Sequence, residues 1–288
     1  MDIAYRRSKY FKIQWIMKKY LLIFIEIFCV FITNAQFIEP SGIETNRFTV
    51  LDSAQLKFTY SFTYKKNYSL NDADPVFVVD KQSLLLGKNT SKYYSQNYLD
   101  YCEKWTKNMS CRMEVGNCSF EIFKNYPANN ETVTEQAGKV FGGSYIYNEN
   151  LNDFTWKISN DTIPILGYTC QKATTTFRGR NYTAWFTPDI PSNNGPWKFG
   201  GLPGLILKIS DDKRNFTFEC SGILQLEKPE LIKLFTLNYK KVTRQELDKV
   251  YRRFVNNPKQ FWITTGVEVG EAFMMELPKM IYNPIELE

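Results

Sequence analysis

The sequence contains no histidine. That absence removes Ser-His-Asp and Cys-His nucleophile systems and every His-ligated zinc site. Cysteine is sparse, with six in 288 residues, and no two are spaced as Cys-x-x-Cys. Zinc ribbons and thioredoxin-type redox motifs are therefore excluded. No apolar run reaches the roughly 20 residues of a membrane-spanning helix. The longest, Leu21 to Ile32, is twelve residues and is interrupted by Glu26. The sequence names no reaction, no metal site and no cofactor.

What is present reads as globular and rich in β-structure. Hydrophobic residues make up 43% and charged residues 23%, the proportions of a packed domain. Aromatics reach 16%, with 18 Tyr and 22 Phe, a loading that favours strands over helices.

The N-terminus reads as an address. Lys18 and Lys19 form a short basic region, Leu21–Ile32 an apolar one, and Thr33-Asn34-Ala35 places small residues before Gln36. This is the layout of a secretory signal peptide cut between Ala35 and Gln36. Residues 1–16 then look like an extension upstream of a start at Met17. Cys29 follows Glu-Ile-Phe, which is no lipoprotein context. Residues 1–35 hold six basic and two acidic residues, so the overall net charge of +6 falls to +2 from Gln36 onward. A nucleic-acid footprint needs a clustered basic face, and none is expected.

Five cysteines follow the leader: Cys102, Cys111, Cys118, Cys170 and Cys220. An exported chain can keep disulfides. Cys170 and Cys220 fall on strands of two successive expected hairpins and are the candidate pair. The alternative is that both are small buried core residues. A catalytic cysteine would need an activating base or positive site, and no histidine can serve.

Along the chain, Leu56, Phe58, Tyr60, Phe62 and Tyr64 alternate with Lys57, Thr59, Ser61, Thr63 and Lys65, a long half-buried strand. Residues 76–86 continue the β-signal with a bend expected at Asp80-Lys81-Gln82. Residues 89–118 read as a polar loop with one helical turn, and 127–138 as an exposed loop. Short strands are expected at 119–123, 140–147 and 154–158. Hairpins are expected at 163–187 and 205–220, with Arg178-Gly179-Arg180-Asn181 and Asp211–Asn215 in their turns. Thr243-Arg244-Gln245-Glu246 is a capping box. Leu247, Val250, Tyr251 and Phe254 follow at helical spacing, predicting a C-terminal helix over 243–255. The fold expected is mainly β: one domain over 36–288, an antiparallel curved sheet or incomplete barrel carrying that helix.

The densest unusual stretch is Trp185 to Leu207, with Pro188, Pro191, Pro196, Pro203, Gly195, Gly200, Gly201 and Gly204. So many residues with special backbone demands predict a long shaped loop. No Gly-Lys-Ser/Thr follows and the loop leads into a strand, so it does not cradle phosphate. Trp185, Trp197 and Phe199 are its candidate contacts for a ligand or partner. The competing expectation is that Trp197 and Phe199 are buried and plug one end of the sheet.

Gly201, Leu202, Pro203, Gly204, Leu205 and Ile206 spell GLPGLI. With the preceding residues 167–191 this stretch resembles the GLPGLI family of exported Bacteroidetes proteins. The resemblance implies a periplasmic or surface protein, often encoded near outer-membrane TonB-dependent receptors, with no catalytic residues to carry over. The cysteine-rich residues 102–118 and the residues before Met17 are not part of that pattern.

The function expected is therefore that of an exported, non-enzymatic protein of the periplasm or outer membrane. Its ligand would be apolar or extended, or its partner a membrane receptor; the mature chain would have no transmembrane helix. A rival is a hydrolase whose carboxylates come from Asp189, Asp211, Asp212 and Glu219. A third possibility is a structural partner protein without a pocket.

Overall fold

The computed structural model describes residues 47–65, 77–106, 118–138, 141–151, 154–264 and 282–288. Ala35, Gln36 and Cys111 lie outside them.

Alternation sets the sheet. In β1 (Phe48–Lys65), Phe58, Tyr60 and Phe62 are buried and the residues between them are not. In β2 (Phe77–Gly87) the expected bend at 80–82 is absent, and Asp80 and Gln82 lie opposite Phe62 and Tyr60 on the buried face. The strand runs through because Asp80 finds partners elsewhere. It accepts from Gln82 Nε2, Ser95 Oγ, Asn97 Nδ2 and the Cys118 N–H. The polar stretch after residue 89 forms β3 (Ser91–Ser95) and α1 (Gln96–Thr106) instead of a loop. Ser95 Oγ accepts from the Tyr98 N–H, as an N-cap does.

Next come β4 (Phe120–Lys124), β5 (Asn130–Gln136) and β6 (Ser144–Asn150). β5 replaces an expected exposed loop; its Val133 and Thr134 are buried between neighbours on both sides. The second half holds β7 (Lys157–Ile165), β8 (Tyr168–Phe177), β9 (Arg180–Thr187), β10 (Leu205–Asp211) and β11 (Phe216–Phe235). β12 (Lys240–Lys241), α2 (Arg244–Asn256) and α3 (Pro258–Thr264) follow. The capping box forms as expected, with Thr243 Oγ1 accepting from the Glu246 N–H and Glu246 accepting from the Thr243 N–H.

The strands form one sheet in the order β12-β6-β5-β4-β3-β2-β1-β11-β10-β9-β8-β7. It is mostly β, open and not closed into a barrel. All pairings are antiparallel except β12 with β6. Register shifts interrupt β1–β11 between Val50 and Asp52, Ala54 and Leu56, and Thr59 and Tyr60. Such bulges bend a strand and raise its twist.

One face carries the main core. Phe62 stacks on its direct partner Phe218, ring centroids 4.2 Å apart, the cross-strand aromatic pairing that stabilises sheets by about 1 kcal/mol. Tyr93, Ile122, Val133 and Tyr147 continue this core across β3 to β6. A smaller cluster of Ala54, Leu85, Tyr94, Phe123 and Ile232 lies on the other face beneath Leu99 of α1. Among the described residues no helix is long and apolar enough to cross a membrane.

Cys170 and Cys220 are buried free thiols, so the expected pairing is not formed. Both belong to the main core, yet β9 and β10 lie between their strands.

Candidate functional site: the plug loop and its cleft

Pairing across β3, β4, β5 and β6 places Ser91, Lys124, Glu131 and Glu149 directly opposite one another in a single row. Direct partners share a face, so this row points the same way as the core. Buried charges of this kind need partners. The segment 188–204, between β9 and β10, brings them.

Lys124 Nζ donates to Asn194 Oδ1 at 2.9 Å, to the Gly195 carbonyl at 2.8 Å and to the Phe199 carbonyl at 2.6 Å. Asn194 Nδ2 donates in turn to Ser91 Oγ. Lys198 reaches the other half of the row, 2.6 Å from Glu149 and 3.6 Å from Glu131. Trp197 and Phe199 flank it, 4% and 0% exposed, with ring centroids 5.1 Å apart. The loop is therefore a plug on the buried face, pinned by two lysines of opposite provenance: one rises from the sheet, one descends from the loop.

Its glycines are there for close approach. A Cβ on Gly204 would lie 2.2 Å from the Thr187 carbonyl oxygen, and one on Gly200 2.8 Å from that of Asn193; both are shorter than any tolerable contact. Leu202, Leu205 and Ile206 are buried, whereas Gly201 and Pro203 are exposed. A register shift between Ile206 and Lys208 interrupts β9–β10 pairing, and the Ile206 carbonyl accepts from Tyr60 Oη at 2.7 Å. Trp185 stands apart: it is half-buried on β9, out of phase with Ala184 and Phe186, opposite Lys172 and Lys208.

The two lysines titrate in opposite directions. Burial pushes the Lys124 amine down to about 7, against the attraction of Glu131. Burial also opposes the Lys198 charge, but Tyr147 and the carboxylates of Glu286, Glu131 and Glu149 outweigh it and hold its pKa above the ordinary lysine value. Burial raises Glu131. At Glu149 burial is overcome by Lys198 and Arg178, and the carboxyl lies below its usual range. The three acceptors of Lys124 match the three hydrogens of the charged ammonium, so these bonds favour the protonated form that burial opposes.

Beside the plug lies an open cleft of about 1360 Å³. Leu56, Leu86, Phe154 and Ile190 give it apolar wall; Gln55, Asn89, Ser192, Asn193 and Gln225 add hydrogen-bonding groups; Lys124 and Lys198 form its inner end. The expected carboxylates do not converge on it. Asp211 is buried and paired with Arg180, Glu219 pairs with Lys208, and Asp189 and Asp212 are exposed. Among the described residues no group of three or more Cys, Asp or Glu could hold a metal ion.

Sequence reasoning missed Lys124, Glu131, Glu149 and Lys198. One signal was visible: a lysine between Trp197 and Phe199, in a segment otherwise built to pack.

A family model described as a protein of unknown function, Porph_ging, matches residues 176–208, the span from the end of β8 through the plug into β10. Two solved structures, titled "Structure of PNGF-II in P21 space group" and "Structure of PNGF-II in C2 space group", are each 14% identical, with TM-scores of 0.45 and 0.43. They match over 69% and 70% of this chain and 33% of their own chains. The chain thus spans about a third of the length of these structures. No curated protein matches.

Proposed function

We propose that this chain is exported and acts by binding, not catalysis, with an extended ligand held in the cleft beside the plug. The cleft carries this reading: it is open, encloses about 1360 Å³, and mixes apolar wall with amide and hydroxyl groups. Such a lining suits a chain-like ligand with alternating apolar and hydrogen-bonding groups. The plug gives it a rigid inner end, since Lys124 and Lys198 are tied down. The inward carboxylates Glu131 and Glu149 are neutralised by lysine and arginine, which supports binding over acid-base chemistry. The GLPGLI resemblance at Gly201–Ile206 supports a periplasmic or outer-membrane address, with a TonB-dependent receptor as the partner.

Three probes test the cleft: a fluorescein-labelled extended peptide of alternating Leu and Ser, a labelled oligosaccharide and a dansylated fatty acid. The expected result is saturable binding of the peptide at micromolar Kd, weakened about tenfold by Leu151→Asp, a change at an exposed residue of the cleft wall, with an unchanged melting temperature. Binding of none of the three, or binding indifferent to Leu151, overturns the assignment.

A further inference from the structure

The last described residues lie against the plug as a bound peptide would. Tyr282–Glu288 pairs with no strand of the sheet. Its backbone is held mostly by side chains. Arg180 donates to the Pro284 carbonyl at 2.6 Å and to that of Ile285 at 3.2 Å, and Tyr182 Oη donates to Ile285 at 3.1 Å. One backbone bond, from the Leu287 N–H to the Arg178 carbonyl, completes the set. Ile285 packs on the main core beside a cavity of about 180 Å³, which Trp197, Leu247 and Tyr251 also line.

Glu286 enters a buried charge cluster. Its carboxylate meets Lys198 at 3.1 Å and Arg244 at 3.9 Å, and it pairs closely with Arg178. The same three cations also hold Glu149, and Lys198 meets Glu131. With Glu286 in place, three cations face three carboxylates. Without it they face two, in a site where an unmatched charge is costly. The groove therefore selects an apolar residue followed directly by a carboxylate.

We propose that this groove is a peptide-acceptor site, that the C-terminal strap Asn283–Glu288 is its resident and displaceable ligand, and that the same segment binds there in trans. The groove shares Lys198 with the cleft but takes a different ligand on the other side of the plug's charge cluster. A strap held by side chains and one backbone bond opens locally without unpairing the sheet. Its tether gives it a high effective concentration, which shuts out free peptide until its own carboxylate is lost.

The test uses the full-length chain carrying E286K and a fluorescein-labelled peptide of the sequence Tyr-Asn-Pro-Ile-Glu-Leu-Glu. Charge reversal sets a fourth cation against three and expels the tethered strap. Anisotropy should then show peptide binding to the variant at least about twentyfold tighter than to the wild type. A peptide with Lys at the Glu286 position should bind the variant about tenfold more weakly than the native peptide. A natively folded E286K, judged by circular dichroism, that binds no tighter than wild type overturns the proposal. If E286K does not fold, Glu286→Gln takes its place under the same criterion. Amide exchange on the wild type gives an independent reading: Leu287 should exchange about tenfold faster than the paired amides of β8 and β9. Exchange of Leu287 in step with those strands also overturns the proposal.

Discussion

The Lys124 ammonium lies 2.6 Å from the carbonyl oxygen of Phe199, a residue 75 positions later in the chain. This bond and its companions to Asn194 and Gly195 tie β4 to the plug. Lys124→Met would remove the donor to the Gly195 and Phe199 carbonyls, while Asn194 Oδ1 keeps the Gly195 N–H, and would leave Glu131 with less compensation. The expected loss is about 3–5 kcal/mol, read from urea unfolding. A loss below about 1 kcal/mol would mean the plug stays in place without it.

Trp197→Ala should cost about 3–5 kcal/mol, the range for emptying a buried large aromatic. Gly204→Val should be at least as damaging, because its side chain would run into the Thr187 carbonyl. Trp185→Ala, at a half-buried site, should cost clearly less. Thermal melts of the three variants rank them; unchanged melting temperatures in the first two would move Trp197 and the motif to surface recognition.

Glu149 governs part of the acid response. Burial acts to raise its carboxyl, yet Lys198 and Arg178 prevail and set the folded pKa below 4.5. The folded state thus binds this proton more weakly than the unfolded state. Its stabilisation is present above pH 4.5 and is lost as pH falls through the folded value. Glu149→Gln should be less stable than wild type at neutral pH, with the gap narrowing as pH falls below 4.5. Urea midpoints across that range measure it, and a gap independent of pH would show that Glu149 contributes no charge. Asp80 and Glu135, which burial raises, act in the opposite sense and largely cancel in the difference; Glu131 is raised by burial and in part by Glu149 itself, so its pKa falls in the variant.

Burial pushes the Cys170 and Cys220 thiols up to about 11. In the native protein at about pH 8 both should resist a disulfide reagent, and both should react on unfolding in guanidinium. Mass spectrometry of labelled peptides reads each separately. Recovery of a peptide pair joined through the two would refute the free-thiol assignment.

Export predicts a cut between Ala35 and Gln36. N-terminal sequencing of the protein recovered from the periplasm or outer membrane should begin at Gln36. A mature chain still carrying Leu21–Ile32 would rule the leader out.

Local chemistry was legible wherever one segment contained its own reasons. The alternation of Phe58, Tyr60 and Phe62 fixed which face of β1 is buried, because side chains in a strand point alternately to opposite faces. The capping box at Thr243–Glu246 marked the start of α2, since its donors and acceptors lie within one turn. The hairpin around Arg178-Gly179 followed from turn preferences, and Gly179 indeed takes a positive φ of 76°.

Tertiary structure alone decided the rest. Asn130–Gln136 resembles a loop by composition and becomes a strand because β4 and β6 flank it on both sides. Asp80 and Gln82 look like a bend until Ser95, Asn97 and Cys118 supply partners for Asp80, which in turn accepts from Gln82 Nε2. Lys124, Glu131, Glu149, Lys198 and Glu286 come from four strand or loop segments and the C-terminal strap, and no spacing in the sequence relates them. What joins them is strand register and the fall of the plug across it. A buried charge is tolerated only where opposite charge or hydrogen-bonding groups surround it, and here those groups arrive from distant parts of the chain.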